Sequence, residues 1–167
     1  MLRLSRLNHA VLFVRDLERS VAFYRDVLGL TPVARMGDDM AFLRARFAEP
    51  PRPRARRRRN RRALPARGSV GLYHLAWEVA AIEDIAEAHA ALAGANALGG
   101  ASDHGTTKSL YGRDPDGNEF EIMWPVPRAA WGPSDATTAV TRRLDLAAEL
   151  ERFGTGDRPA PARRAET

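Results

Sequence analysis

The sequence predicts an α+β fold made of two pseudo-symmetric βαβββ modules followed by a C-terminal helix, and three observations predict it. First, the pattern from Leu7-Asn8-His9 to Val14, then Leu17-Glu18 to Gly29, recurs 65 residues later. The second copy runs from Leu72-Tyr73-His74 to Val79, then Ile82-Glu83 to Gly94, and Leu, His, Val, Glu and Gly coincide. An internal repeat of this kind is the signature of pseudo-symmetric architecture. Second, each copy reads as strand, helix, strand, strand. Third, Asp114-Pro115-Asp116-Gly117-Asn118 is a turn that feeds a strong terminal strand, since proline presets φ and Gly and Asn tolerate the reversal.

In the first copy, residues 7–14 form a strand candidate with Leu7, His9, Val11 and Phe13 on one face. Asp16 is placed to cap a helix whose apolar stripe is Leu17, Val21, Tyr24 and Leu28, and Gly29 is placed to end it. Thr31 to Met36 and Met40 to Arg46, split by Gly37-Asp38-Asp39, read as a hairpin. In the second copy, Ile82, Ile85, His89 and Leu92 share a helical stripe, with His89 a packed edge residue. Its strands are a weak one at Ala97 to Leu98, a better one at Thr107 to Gly112, and the best at Asn118 to Trp124. In that last strand Glu119, Glu121 and Met123 share one face, and Phe120, Ile122 and Trp124 the other. A carboxylate on a sheet face is usually just solvated; two histidines elsewhere make Glu121 more interesting.

The first copy should also end in a fourth strand, near residues 50–60. Glu49-Pro50-Pro51-Arg52-Pro53-Arg54-Ala55-Arg56-Arg57-Arg58-Arg59-Asn60-Arg61-Arg62 stands there instead. Prolines remove ladder donors and adjacent arginines repel, so the expectation is an irregular insert over 49–67 and no proper fourth strand. The resulting division is one domain over 5–126 (module one 5–67, module two 68–126), then a linker and helix over 127–153 with Thr138 to Phe153 helical, then a disordered tail over 154–167.

The net charge of +5 suggests a nucleic-acid binder until its location is considered. Nine arginines lie between Arg52 and Arg67, and without them the chain would carry −4. No aromatic interleaves the run to stack a base, so no specific nucleic-acid partner is expected. No apolar run approaches the ~20 residues of a membrane span, and Met1 to Arg6 is too short and polar for a signal peptide. These features predict a cytoplasmic protein without a membrane partner; a homo-oligomer is compatible with them. The chain has no cysteine, which leaves only His, Asp, Glu and similar ligands for a metal.

His9 and His74 hold equivalent positions in the two copies. Either alone would read as a core histidine, but a pseudo-twofold axis brings equivalent strands together. With Glu121 they make two imidazoles and one carboxylate, a set that binds iron(II) with coordination positions left open.

At this point the chain resembles the vicinal oxygen chelate superfamily, paired βαβββ proteins that include glyoxalase I, fosfomycin-resistance enzymes, bleomycin-binding proteins and extradiol ring-cleaving dioxygenases. The marks are Leu7-Asn8-His9, Gly71-Leu72-Tyr73-His74 and Asp114 to Asn118 three residues before Glu121, within residues 5–47 and 68–126. The resemblance implies a curled sheet around a metal cleft, with His9, His74 and Glu121 as ligands of Fe(2+), or alternatively Mn(2+) or another divalent metal. His104-Gly105-Thr106-Thr107-Lys108-Ser109-Leu110-Tyr111 is similar to the extradiol, catechol 2,3-dioxygenase-like branch. There the His and Tyr hydrogen-bond the oxygens of a catecholic substrate and of the intermediates derived from it, so His104 and Tyr111 are the catalytic candidates. Their alternative readings are a loop histidine and a core tyrosine. The implied partners are a small aromatic substrate and dioxygen.

That branch also carries an oxygen-side histidine in a segment like Asn-His-His-Asp-Leu, which the missing strand should have supplied. Codons AAC CAC CAC GAC CTC read two bases out of register give Pro-Pro-Arg-Pro, the run at Pro50 to Pro53. The sequence therefore reads as a compensated frameshift between about Phe47 and Gly68, with ring cleavage impaired. The competing functions are a glyoxalase-like metal-dependent isomerase or lyase, and a non-enzymatic small-molecule binder of the same superfamily.

Overall fold

The computed structural model of the chain describes residues 9–45, 54–57, 71–133, 135 and 140–155. The expected tail is outside them apart from Gly154 and Thr155, as is the expected insert apart from residues 54–57. The fold falls into two units, Met1–His74 with Arg113–Glu119, and Leu75–Gly112 with Phe120–Thr167.

In the first unit, β1 (Val11–Val14) leads into α1 (Leu17–Asp26), followed by β2 (Thr31–Met36), β3 (Met40–Arg44) and β4 (Arg54–Arg57). Asp16 caps α1 by accepting from the Arg19 N–H at 3.0 Å, which satisfies one of the donors a helix leaves open at its start. Past the helix end Gly29 takes a φ of +67° and Gly37 one of +55° in the hairpin turn, backbone that glycine adopts without strain. The sheet runs β1-β4-β3-β2. Val14, Ala41 and Leu43 bury against Leu17, Val21, Tyr24 and Leu30. Val11 and Phe13 point away from that core and are 43% and 53% exposed.

The arginine-rich run corrects one expectation, because the first module does have a fourth strand. β4 pairs parallel with β1 from Val11↔Arg54 to Val14↔Arg57 and antiparallel with β3 from Met40↔Arg56 to Phe42↔Arg54. A ladder is made of main-chain groups, and the prolines all precede Arg54, so every residue of β4 keeps its donor. Side-chain character argued against a strand where the backbone had neighbours on both sides.

The turn Asp114 to Asn118 belongs to this first unit and clips onto α1. Asp116 Oδ2 accepts from the Arg15 N–H at 3.0 Å and the Ser20 hydroxyl at 3.5 Å. Asp114 accepts from the Tyr24 hydroxyl at 2.9 Å, the Asp116 and Asn118 N–H groups, and the Asn118 side-chain amide. Burial, then the Asp114 charge, pushes the Tyr24 phenol far above its ordinary range, so it stays a donor. Tyr24→Phe removes a hydrogen bond to a buried carboxylate and should cost about 1.5 kcal/mol, read as a lower urea midpoint. A change near zero would mean that the turn alone satisfies Asp114.

The second sheet contains β5 (His74–Glu78), β6 (Leu98–Asp103), β7 (Thr107–Arg113), β8 (Glu119–Pro125) and β9 (Arg142–Arg143), in the order β5-β8-β7-β6-β9. Without β9 that order repeats β1-β4-β3-β2, so the duplication read from sequence is a duplication of topology. Between β5 and β6, α2 (Ile82–Gly94) buries Ile82, Ile85 and Leu92, and Leu110, Phe120, Ile122 and Trp124 are buried in the same unit. The expected helix from Thr138 is shorter. α3 spans Leu146–Phe153, Asp145 caps it at the Ala148 N–H, and β9 pairs antiparallel with the end of β6, Ser102↔Arg143 and Asp103↔Arg142. The apolar spacing of Val140 and Leu144 fits a helix equally well, but the open edge of β6 gives their segment a ladder. No described helix is long and apolar enough to cross a membrane.

Candidate active site

The second unit brings three of the residues singled out by sequence into one chain of polar contacts. The turn between β6 and β7 presents His104: its N–H donates to Thr107 O at 2.9 Å, and the Thr106 N–H donates to His104 O at 2.9 Å. Gly105 has a φ of +76° there, and a Cβ on it would stand 2.9 Å from Asp135 Oδ1, so the turn admits glycine alone without strain. The His104 ring lies 2.9 Å from the Tyr111 hydroxyl through Nε2, and the Tyr111 hydroxyl reaches Glu121 Oε1 at 3.4 Å. On its other side His104 Nδ1 lies 3.0 Å from the Val140 carbonyl oxygen and 3.2 Å from Thr141 Oγ1. His104, Tyr111 and Glu121 are all half-buried.

Sequence reasoning did not find Val140 or Thr141, and no signal in the residues could have: the partner is a main-chain carbonyl brought in by β9. It also passed over Glu119, which shares a strand face with Glu121. Glu119 Oε1 lies 4.0 Å from His74 Nδ1, and its other oxygen accepts from Arg113 at 2.8 Å. At 4.0 Å the Glu119 carboxylate is near the His74 ring but too far for a hydrogen bond to Nδ1.

Behind the His104 turn, Lys108 is only 4% exposed and is paired with Asp103 at 2.8 Å and Glu149 of α3 at 3.0 Å. Burial would raise the Asp103 carboxyl, but the hydrogen bonds from Lys108 and the Gly105 N–H, with the charges of Lys108 and Arg142, outweigh it and hold it below its ordinary range. A depressed carboxyl adds stability that is present above its unfolded pKa, near 4, and lost as pH falls through the lower folded value. Asp103→Asn should therefore be less stable than the parent at pH 7, by roughly 1–3 kcal/mol, and should converge with it towards pH 3. Parallel urea curves at both pH values would exclude this role.

His9 precedes β1 and His74 opens β5, both half-buried and both in the first unit, while Glu121 is in the second. Among the described residues no three His, Asp or Glu side chains are gathered closely enough to hold a metal ion as they stand. The donor chemistry nonetheless suits a divalent ion of the iron class: two imidazoles and one carboxylate without thiolate, and no donor residue sealed in the core.

Comparison with known proteins gives the same direction. The model of the Glyoxalase/Bleomycin resistance protein/Dioxygenase superfamily matches residues 6–122. The chain is 32% identical over 154 residues to a catechol-2,3-dioxygenase of Bacillus subtilis (strain 168), covering 90% of this chain and 53% of that protein. It is 31% identical over 150 residues to metapyrocatechase 2 of Cupriavidus necator, covering 77% and 44%. The chain thus spans about half the length of these relatives. Among solved structures, a glyoxylase/bleomycin resistance protein/dioxygenase domain from Frankia sp. EAN1pec superposes with a TM-score of 0.64 at 26% identity, covering 74% of this chain and 100% of that one. With a family match over more than two thirds of its length and the repeated strand order of its two sheets, the chain belongs to the glyoxalase/bleomycin resistance/dioxygenase superfamily.

Proposed function

We propose that the chain carries an extradiol-type site that binds iron(II) and a catechol, and that ring cleavage by this particular sequence is slow. The observation that carries this reading is the chain from His104 through Tyr111 to Glu121. A histidine and a phenol in hydrogen-bond contact beside a carboxylate are the groups needed to take a proton from a catechol and hold the resulting oxygen anion. An isomerase that works on an enediolate has no evident need for the Tyr111–His104 pair. The names of the two curated relatives support the same substrate class.

In this reading His9, His74 and Glu121 hold the metal. Bound there, iron(II) would supply a Lewis-acidic, electron-rich centre at which the catechol and dioxygen react. The rest is the work of the chain's own side chains. His104 Nε2 accepts a proton passed along by Tyr111. Tyr111, half-buried on β7, orients the substrate oxygens by hydrogen bonding. Glu119, 4.0 Å from His74 Nδ1, would add a negative charge beside that imidazole. The oxygen-side histidine has no counterpart in the sequence from Pro50 to Pro53, a stretch outside the described residues, and proline and arginine offer no group that titrates at working pH.

The test is an oxygen-uptake assay on the iron-loaded chain with several catechols, ring-opened product measured alongside. The expected result is a slow, iron-dependent reaction with one product formed per oxygen consumed. Turnover of a hemithioacetal without oxygen uptake would replace this reading with the isomerase one.

A further inference from the structure

The C-terminal arm bears on the chemistry of His104, and the inference that follows rests on the function proposed above. We propose that the arm, through the Val140 main-chain carbonyl, holds His104 as its Nδ1–H tautomer and so makes Nε2 the proton acceptor facing Tyr111. A carbonyl oxygen can only accept, so the 3.0 Å contact between Nδ1 and Val140 O requires a hydrogen on Nδ1. Thr141 Oγ1, 3.2 Å from the same nitrogen, can accept as well as donate and does not oppose this. In the neutral ring the remaining nitrogen then carries a lone pair, and the group 2.9 Å from it is the Tyr111 hydroxyl. Tyr111 has one hydrogen to give. With Nδ1 carrying its hydrogen, Nε2 of the neutral ring can only accept, and Tyr111 donates to it over 2.9 Å in preference to Glu121, the longer contact at 3.4 Å.

The arm is built to keep that carbonyl in place. β9 lies two residues beyond Val140 and is laddered to Ser102 and Asp103, the residues just before His104. α3 then fastens the end of the arm: Glu149 pairs with buried Lys108, Phe153 packs edge-on to Trp124 at 5.2 Å between ring centres, and Glu83 of α2 accepts from the Thr155 N–H at 2.8 Å. Both sides of the His104 turn, Asp103 and Lys108, are therefore tied to the arm. The tautomer of a histidine is set by the partner of its other nitrogen, and here that partner comes from a segment beyond the matched family region, residues 6–122. Val140 acts as a positioning group, touching no substrate itself.

The experiment is long-range proton–nitrogen correlation NMR on the full chain with 15N-labelled histidine, at a pH where His104 is neutral. The four histidines are distinguished by recording the His104→Gln protein as well. The expected result is a protonated Nδ1 and an unprotonated Nε2 in His104. That form should exceed the other by about fivefold, the ratio that one ordinary neutral hydrogen bond corresponds to. The same pattern should persist in Tyr111→Phe, which removes the contact at Nε2 and leaves Val140 in place. A His104 protonated at Nε2 in the parent would overturn the proposal, and so would a switch of tautomer in Tyr111→Phe, since Tyr111 would then be what sets it. The readout needs neither metal nor turnover. Failure to bind iron or cleave a catechol would count against the proposed function and leave the tautomer result standing, and the converse holds too.

Discussion

On the proposed extradiol reading, placing an oxygen-side histidine in the stretch from Pro50 to Pro53 should raise ring cleavage by ~10²–10⁴, the usual worth of a positioned acid–base group. The substitutions are Glu49→Asn, Pro50→His, Pro51→His, Arg52→Asp and Pro53→Leu, with the reading frame restored through the following strand. They return a group that can polarise or protonate an oxygen-derived species, which Pro51 and Arg52 cannot do. The four residues of β4 already hold main-chain places beside β1 and β3, so restoring the frame over residues 54–57 changes side chains on an existing ladder and need not create a strand there. Oxygen uptake with ring-opened product, compared between the two proteins under saturating iron, measures the gain. Equal rates would show that this run never cost the protein an oxygen-side group.

Glu121→Ala should lower iron(II) affinity by more than about 100-fold, beyond the 10–100-fold that loss of a mere supporting partner typically costs. Two neutral imidazoles hold a hard dication poorly, since the carboxylate supplies the only negative charge of the set. Glu121 is on β8 with Tyr111 beside it, and its removal leaves the buried face of that strand, Phe120, Ile122 and Trp124, intact. The fold should therefore survive, and circular dichroism would separate lost metal from lost structure. Iron content unchanged in a folded Glu121→Ala protein would remove Glu121 from the ligand set.

Much of the fold was legible in the residues because the decisive signals were local. The Asp16 cap, the positive φ of the glycines at 29 and 37, and the stripes of α1 and α2 each act over a few residues and appear as expected, except that α1 ends at Asp26 and leaves Leu28 beyond it. The second strand of module two was read too short: Leu98–Asp103 carries two glycines and a serine, weak strand formers, and is held by pairing on both edges. β4 and β9 escaped for the same reason. Each is a short strand whose formation depends on an edge supplied from far away in sequence, and neither charge pattern nor apolar spacing encodes that. At the site, a family likeness singled out His104, Tyr111 and Glu121, but not their contacts with one another, since seven and ten residues of separation fix no distance across a sheet. Val140 was invisible because its contribution is a carbonyl that every residue possesses.

The most direct test of the central claim is catechol binding to the unaltered chain with and without one equivalent of iron(II), under anaerobic conditions. Binding should appear only with the metal, saturate at one catechol per chain, and weaken when His9, His74 or Glu121 is replaced by alanine. Catechol binding of equal strength in the metal-free protein, or indifference to those three replacements, would contradict the proposal that they hold an iron(II) to which the substrate binds.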